Sequence, residues 1–217
     1  MRQAVPGLYG LVTHASLPAG RRGPGSPLQS TRVRGMLFFF DYADPLSWTV
    51  ELLAGRLRAL SGNGESAVGL ERFPFGVDDL ARGWEDRVTL TTSVLREIDV
   101  PWMPPEAPVR SQKAFELAFH GAESGCFEAV HTAIFQAHFA EGRDIGRIDA
   151  LVSVAGLVGL DRSETKAVLD VDRHADAVGA WRDRALGLGV KATPTLVADG
   201  QWFERSAAVE ELRRRCN

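Results

Sequence analysis

Cysteine is scarce: the 217 residues hold two, Cys126 within a predicted helix and Cys216 next to the C-terminus. Two such positions exclude a disulfide-stapled scaffold and read as free thiols in a reducing compartment. Excess charge of one sign is missing as well. A net charge of -3 with no basic stripe excludes non-specific nucleic-acid or membrane-surface binding. No run reaches transmembrane length, and "MLFFF" is strand-sized. Metal-ligand spacing is not evident either. His131 and His138 stand seven apart rather than four, and no Cys or carboxylate pattern completes a site, so no metal is expected. The loop "GNGES" lacks a P-loop lysine and the Rossmann glycine spacing.

The first 35 residues lack apolar periodicity. "LPAGRRGPGSPLQSTRVRG" is rich in Gly, Pro, Ser and Arg, and Arg21-Arg22 is not followed by the apolar core of an export signal. Residues 1–35 are therefore expected to be a flexible extension, with Met36 a candidate start, and the protein is expected in the cytoplasm.

From Met36 onward the order of elements is informative. Residues 36–43 form an apolar strand, and Asp44 then occupies an N-cap position with Pro45 first in a helix. Trp48, Leu52, Leu53, Leu57 and Leu60 give that helix its inward face. "AVGLERFPF" reads as a second strand, and strand-helix-strand makes a parallel pair with a right-handed crossover. Residues 78–187 are helical in pattern, with helices expected at 79–98, 110–123, 125–140, 145–158, 162–170 and 172–187. "TPTLVADG" and "QWFER" make a hairpin with its turn at Asp199-Gly200, and a last helix spans 207–215.

This β-α-β, helical insertion, β-β-α order is an α/β thioredoxin-like fold with a central mixed sheet over 36–217. The sequence here resembles the DsbA-like family, especially its FrnE-like and 2-hydroxychromene-2-carboxylate isomerase branches. "FFFDYADPLSW" resembles the family's F-D-x-x-C-P-W-C-Y, and "GLGVKATPTLVADG" is similar to its G-V-x-G-V-P-T-F-V loop. "LERFPF" resembles the second strand. The stretch from Val109 to Ile145, ending "FAEGRDI", resembles the insertion with its F-x-E-G-R-D-I phrase.

The departures bear on chemistry. Asp44 and Ser47 stand where the family keeps its two active-site cysteines, so dithiol exchange has no attacking or resolving thiol. The isomerase branch keeps serines there and uses glutathione, and Ser47 matches its second serine. A carboxylate at Asp44 would repel a thiolate, by about 1 kcal/mol or more at close range. Its G-x-D-R phrase, which helps hold glutathione, reads Arg205-Ser206-Ala207-Ala208 here.

Asp44 serves either as a helix cap, contributing about 1 kcal/mol, or as a base or ligand acceptor. Ser47 is either an ordinary first-turn serine or a donor into the same groove. Tyr42 and Trp48 flank the turn and either pack the core or line a pocket. The resemblance implies a cis bond before Pro194, with the Thr193 peptide groups free to pair with an extended ligand.

The leading reading is a redox-inactive DsbA-like protein. It would bind a small molecule or extended peptide between the Asp44–Ser47 turn and Thr193-Pro194, with Tyr42, Pro45 and Trp48 nearby. A second reading is an isomerase- or transferase-like enzyme using Asp44 and Ser47. A third is an oxidoreductase drawing on Cys126, Cys216 or an external thiol. No cofactor is required; glutathione is implied by the isomerase branch and opposed by both departures. No feature encodes the oligomeric state.

Overall fold

The computed structural model describes residues 35–61, 69–76 and 80–217. The expected extension, apart from Gly35, and the "GNGES" loop lie outside them. Strand β1, Gly35–Phe40, leads into helix α1, Pro45–Ser61, and strand β2, Gly69–Pro74, follows. The strand expected over 36–43 ends at Phe40, because Asp41 to Asp44 fold into the turn that starts α1: Asp44 N–H donates to Asp41 C=O at 3.1 Å. β1 and β2 pair in parallel, with Phe39 opposite Phe73.

Between β2 and the next strand lie the helices α2 (Trp84–Glu97), α3 (Gln112–Glu123), α4 (Phe127–Phe135), α5 (Ile148–Leu157), α6 (Arg162–Asp170) and α7 (Ala175–Gly187). α2 begins five residues later than its pattern suggests, after Gly83 at a φ of 72°. The helix expected over 125–140 is α4 followed by a π-helical turn, Gln136–Ala140. Strands β3, Thr195–Ala198, and β4, Gln201–Glu204, form the hairpin, and α8, Ser206–Cys216, closes the chain. Both hairpin turn residues, Asp199 and Gly200, have positive φ, 51° and 76°, as a type I′ turn demands. The described sheet runs β2-β1-β3-β4, with β3 antiparallel to both neighbours.

One face of the sheet packs Phe38, Phe40, Leu196 and Ala198 into the main core with α1, α3, α4 and α8. The other packs Phe39, Phe73 and Val197 against α7. Trp48 belongs to the main core, 3% exposed and stacked on Phe139 at 5.3 Å.

A polar chain crosses this core. Tyr42 Oη meets His131 Nδ1 at 2.9 Å, and His131 Nε2 lies 3.4 Å from Glu51 Oε2. Arg72 Nε donates to Glu51 Oε2 at 2.9 Å, with a second bond from Nη2 to Oε1, and Arg72 Nη1 reaches Glu128 at 3.0 Å. Burial by itself would raise the Glu51 carboxyl, but bonding from Arg72 and the His131 contact hold it well below the usual carboxylate range. Burial pushes His131 down despite Glu51, and burial pushes the Tyr42 hydroxyl well up.

Glu51 and His131 both bind protons less readily folded than unfolded, so stability rises with pH through each window. Thermal unfolding is expected to peak above neutral pH. It should fall as pH drops below about 6.5, where unfolded histidine takes up protons, and again below about 4.3, where unfolded glutamate does. Glu51→Gln should lower Tm at pH 7 and flatten the acid limb; a wild-type Tm at pH 4 equal to that at pH 7 contradicts this.

Candidate functional site

Asp44 caps α1 as its position predicts. Its Oδ1 accepts from Leu46 N–H at 3.1 Å, while its Oδ2 accepts from Ser47 Oγ at 2.9 Å. Ser47 Oγ also accepts from Asp41 N–H at 3.2 Å, so both its donor and an acceptor site are used. A third group completes the carboxylate's shell. Arg87 of α2 donates from Nη1 to Asp44 Oδ1 at 2.8 Å, and the same nitrogen donates to Thr193 C=O at 2.9 Å.

That arrangement corrects the expected groove. Thr193 C=O is taken by Arg87, and Pro194 C=O accepts from Arg205 N–H at 2.7 Å. The Thr193–Pro194 peptide is cis. Asp44, Ser47 and Thr193 are fully buried, and Arg87 is 6% exposed. Pro45 and Pro194 are buried too. Of the two Thr193 peptide groups expected to pair with an extended ligand, the C=O is therefore bonded from within. Tyr42, fully buried and bonded to His131, and Trp48, stacked on Phe139, are core side chains rather than pocket lining.

Sequence reasoning missed Arg87, although a signal existed. On α2 the buried residues are Trp84, Arg87, Thr91, Val94 and Leu95, the 3–4 spacing of an inward stripe, and an arginine on such a stripe demands a buried partner. Thr91, one turn on, meets Thr49 of α1 at 3.1 Å and seats that face on α1. Arg205 holds φ 55°, ψ −126°, a region that suits glycine, at the position where the isomerase branch's phrase begins with Gly.

The two cysteines lie away from this turn. Cys126 precedes α4, and Cys216 ends α8 with its Sγ 3.5 Å from Leu53 C=O. Burial raises both thiols, disfavouring thiolate.

A cleft does open close by, at the carboxyl ends of the parallel strands, where ligands of α/β sheets commonly bind. It holds about 540 Å³ among Asp41 after β1, Gly76 after β2, the start of α3, and α7. Ser111, at the head of α3, makes no side-chain cap bond. Gly76 faces this convergence: a Cβ there would lie 3.9 Å from both Asp41 Oδ2 and Ser111 Oγ, and 3.3 Å from Phe115. Arg110 is exposed at the rim, and Phe115 and Val178 supply buried apolar wall.

These features define a thioredoxin-fold protein whose turn at the head of α1 carries a buried Asp–Arg ion pair. The chain belongs to the DSBA-like thioredoxin domain family, whose model matches residues 36–215. Its fold is similar to that of a 2-hydroxychromene-2-carboxylate isomerase, at TM-score 0.66 and 17% identity, covering 83% of this chain and 93% of that one. A probable DsbA oxidoreductase from Streptomyces coelicolor is similar at TM-score 0.64 and 19% identity, over 83% and 89% of the two chains. The cytosolic disulfide reductase DsbM from Pseudomonas aeruginosa is similar at 0.57 and 13%, over 84% and 95%. No curated protein matches the chain.

Removing one partner of a buried ion pair strands the other charge, so Arg87→Ala should cost about 3–5 kcal/mol in urea unfolding. Asp44→Ala with Arg87→Ala should cost less than the two single losses summed. Strict additivity in that double-mutant cycle contradicts the assigned pairing. Arg205→Gly should raise stability by about 1 kcal/mol, because glycine accepts the strained backbone; a loss of stability would refute the strain.

Proposed function

We propose that this chain is a DsbA-family protein that performs no dithiol exchange and binds a small hydroxylated organic acid in the cleft beside Asp41. The observation carrying this reading is the Asp44–Arg87–Thr193 contact, which occupies the family's reactive position and the neighbouring Thr193 carbonyl together. Thiol–disulfide exchange needs a nucleophilic thiolate at that turn and a second thiol to resolve it. Neither Asp44 nor Ser47 supplies one. An isomerase-like role for the same two residues is disfavoured by their complete burial.

The cleft's chemistry suggests the ligand class. The first-turn N–H groups of α3 carry no side-chain cap, and Arg110 adds positive charge, which together favour a carboxylate. Asp41 Oδ1 accepts from Ala43 N–H at 2.9 Å, and a carboxylate's remaining lone pairs suit a ligand hydroxyl, while Phe115 and Val178 suit an apolar body. A volume of about 540 Å³ fits a small molecule rather than a peptide strand. A reducing cytoplasmic setting belongs to the same proposal, supported by two cysteines left unpaired. Among the described residues, no helix is long and apolar enough to cross a membrane.

Two measurements test the reading. Insulin reduction should show no turnover above buffer; turnover that disappears in Cys126→Ser overturns the redox-inactive part. Salicylate at millimolar concentration should raise Tm more than benzoate does, with both shifts lost in Arg110→Ala and Gly76→Val. No shift, or one indifferent to both substitutions, overturns the cleft assignment. A comparable shift with reduced glutathione, lost in the same variants, favours the transferase-like alternative.

A further inference from the structure

Away from both the turn and the cleft's ligand-facing groups, α3 and α7 bring together two histidines and a glutamate. His120 and Glu123 lie three apart on α3, one turn of the same face. His174 stands immediately before α7. One ligand atom from each of the three lies within 4.8 Å of the others. Sequence spacing could not show this, because His174 lies 51 residues beyond Glu123 and is brought in only by helix packing.

The imidazoles are poorly explained as ordinary core residues. His120 is 3% exposed and His174 6%, yet His120 Nδ1 and His174 Nε2 are buried with no hydrogen-bond partner. A buried ring nitrogen left unpaired costs free energy, so such atoms call for an occupant. Glu123 Oε2 is 3.6 Å from His174 Nε2 and 3.6 Å from Arg173 Nη2, both beyond ordinary hydrogen-bond length. Its carboxylate is close to both and clamped by neither.

We propose that His120, Glu123 and His174 form a binding site for a divalent first-row transition metal of zinc type, pinning the start of α7 to the end of α3. Two imidazole nitrogens and one carboxylate oxygen suit zinc, cobalt, nickel or copper and do not suit magnesium or calcium, which prefer all-oxygen shells. Tetrahedral bonds of about 2.0–2.1 Å place ligand atoms about 3.3 Å apart. The His174–Glu123 separation of 3.6 Å is within a few tenths of an ångström of that. No pair of the three atoms is more than 4.8 Å apart, so side-chain movements of about 1.5 Å or less bring them to that spacing. Glu116, fully buried one turn before His120 and 3.2 Å from Lys113 Nζ, adds negative charge on the same helix. Three protein ligands leave a fourth position for water.

The full chain carrying Cys126→Ser and Cys216→Ser, which removes thiol ligands, is titrated with Zn²⁺ and Co²⁺. One equivalent is expected to bind, raising Tm, with a visible Co²⁺ absorption band of four-coordinate character; Mg²⁺ at the same concentration should not compete. His174→Ala should weaken binding by at least tenfold, as even indirect ligand disturbance does. Glu123→Gln, at an exposed position, should do the same. No Zn²⁺-dependent shift, or wild-type affinity in Glu123→Gln, overturns the site.

Discussion

One guanidinium nitrogen organises the turn at the head of α1. Arg87 Nη1 joins the cap of α1, through Asp44, to the loop before β3, through Thr193 C=O. A carboxylate with no exposure is costly unless paired, and the positive end of α1 by itself is a weak partner. The pairing from α2 therefore makes the Asp44 substitution tolerable in a buried turn. It also ties the helical insertion to the thioredoxin core, because α2 belongs to one and α1 and β3 to the other.

The same contact separates chemistry from architecture. In a redox-active version of this turn, a thiolate would draw on the helix end and the neighbouring peptide edge would receive substrate. Here the anion is fixed, its charge is neutralised, and the edge carbonyls of Thr193 and Pro194 accept from Arg87 and Arg205. Open space lies instead on the other flank of β1, where Asp41 points among the starts of α3 and the body of α7. Asp41 touches both regions, since its backbone N–H bonds Ser47 and its C=O bonds Asp44 N–H. A ligand in the cleft would thus sit one residue-layer from the sealed turn, and the proposed metal site would fix α7, one of the cleft's walls.

The element order of this protein was readable from periodicity and turn residues: β1, α1, β2, six helices, a hairpin at Asp199-Gly200 and a closing helix. Those signals are local, set by the alternation of buried side chains and by residues that accept special backbone angles. Asp44 as a cap and the absence of a dithiol were also legible, since the first follows from residue identity at position 44 and the second from positions 44 and 47. What the turn faces was decided by tertiary structure alone. Arg87 lies 43 residues from Asp44 and 106 from Thr193, and His174 lies 54 from His120. Such pairings come from helix packing across the insertion, which no short-range pattern encodes. Whether a helix tip is open or sealed depends on which distant side chain the packing delivers to it.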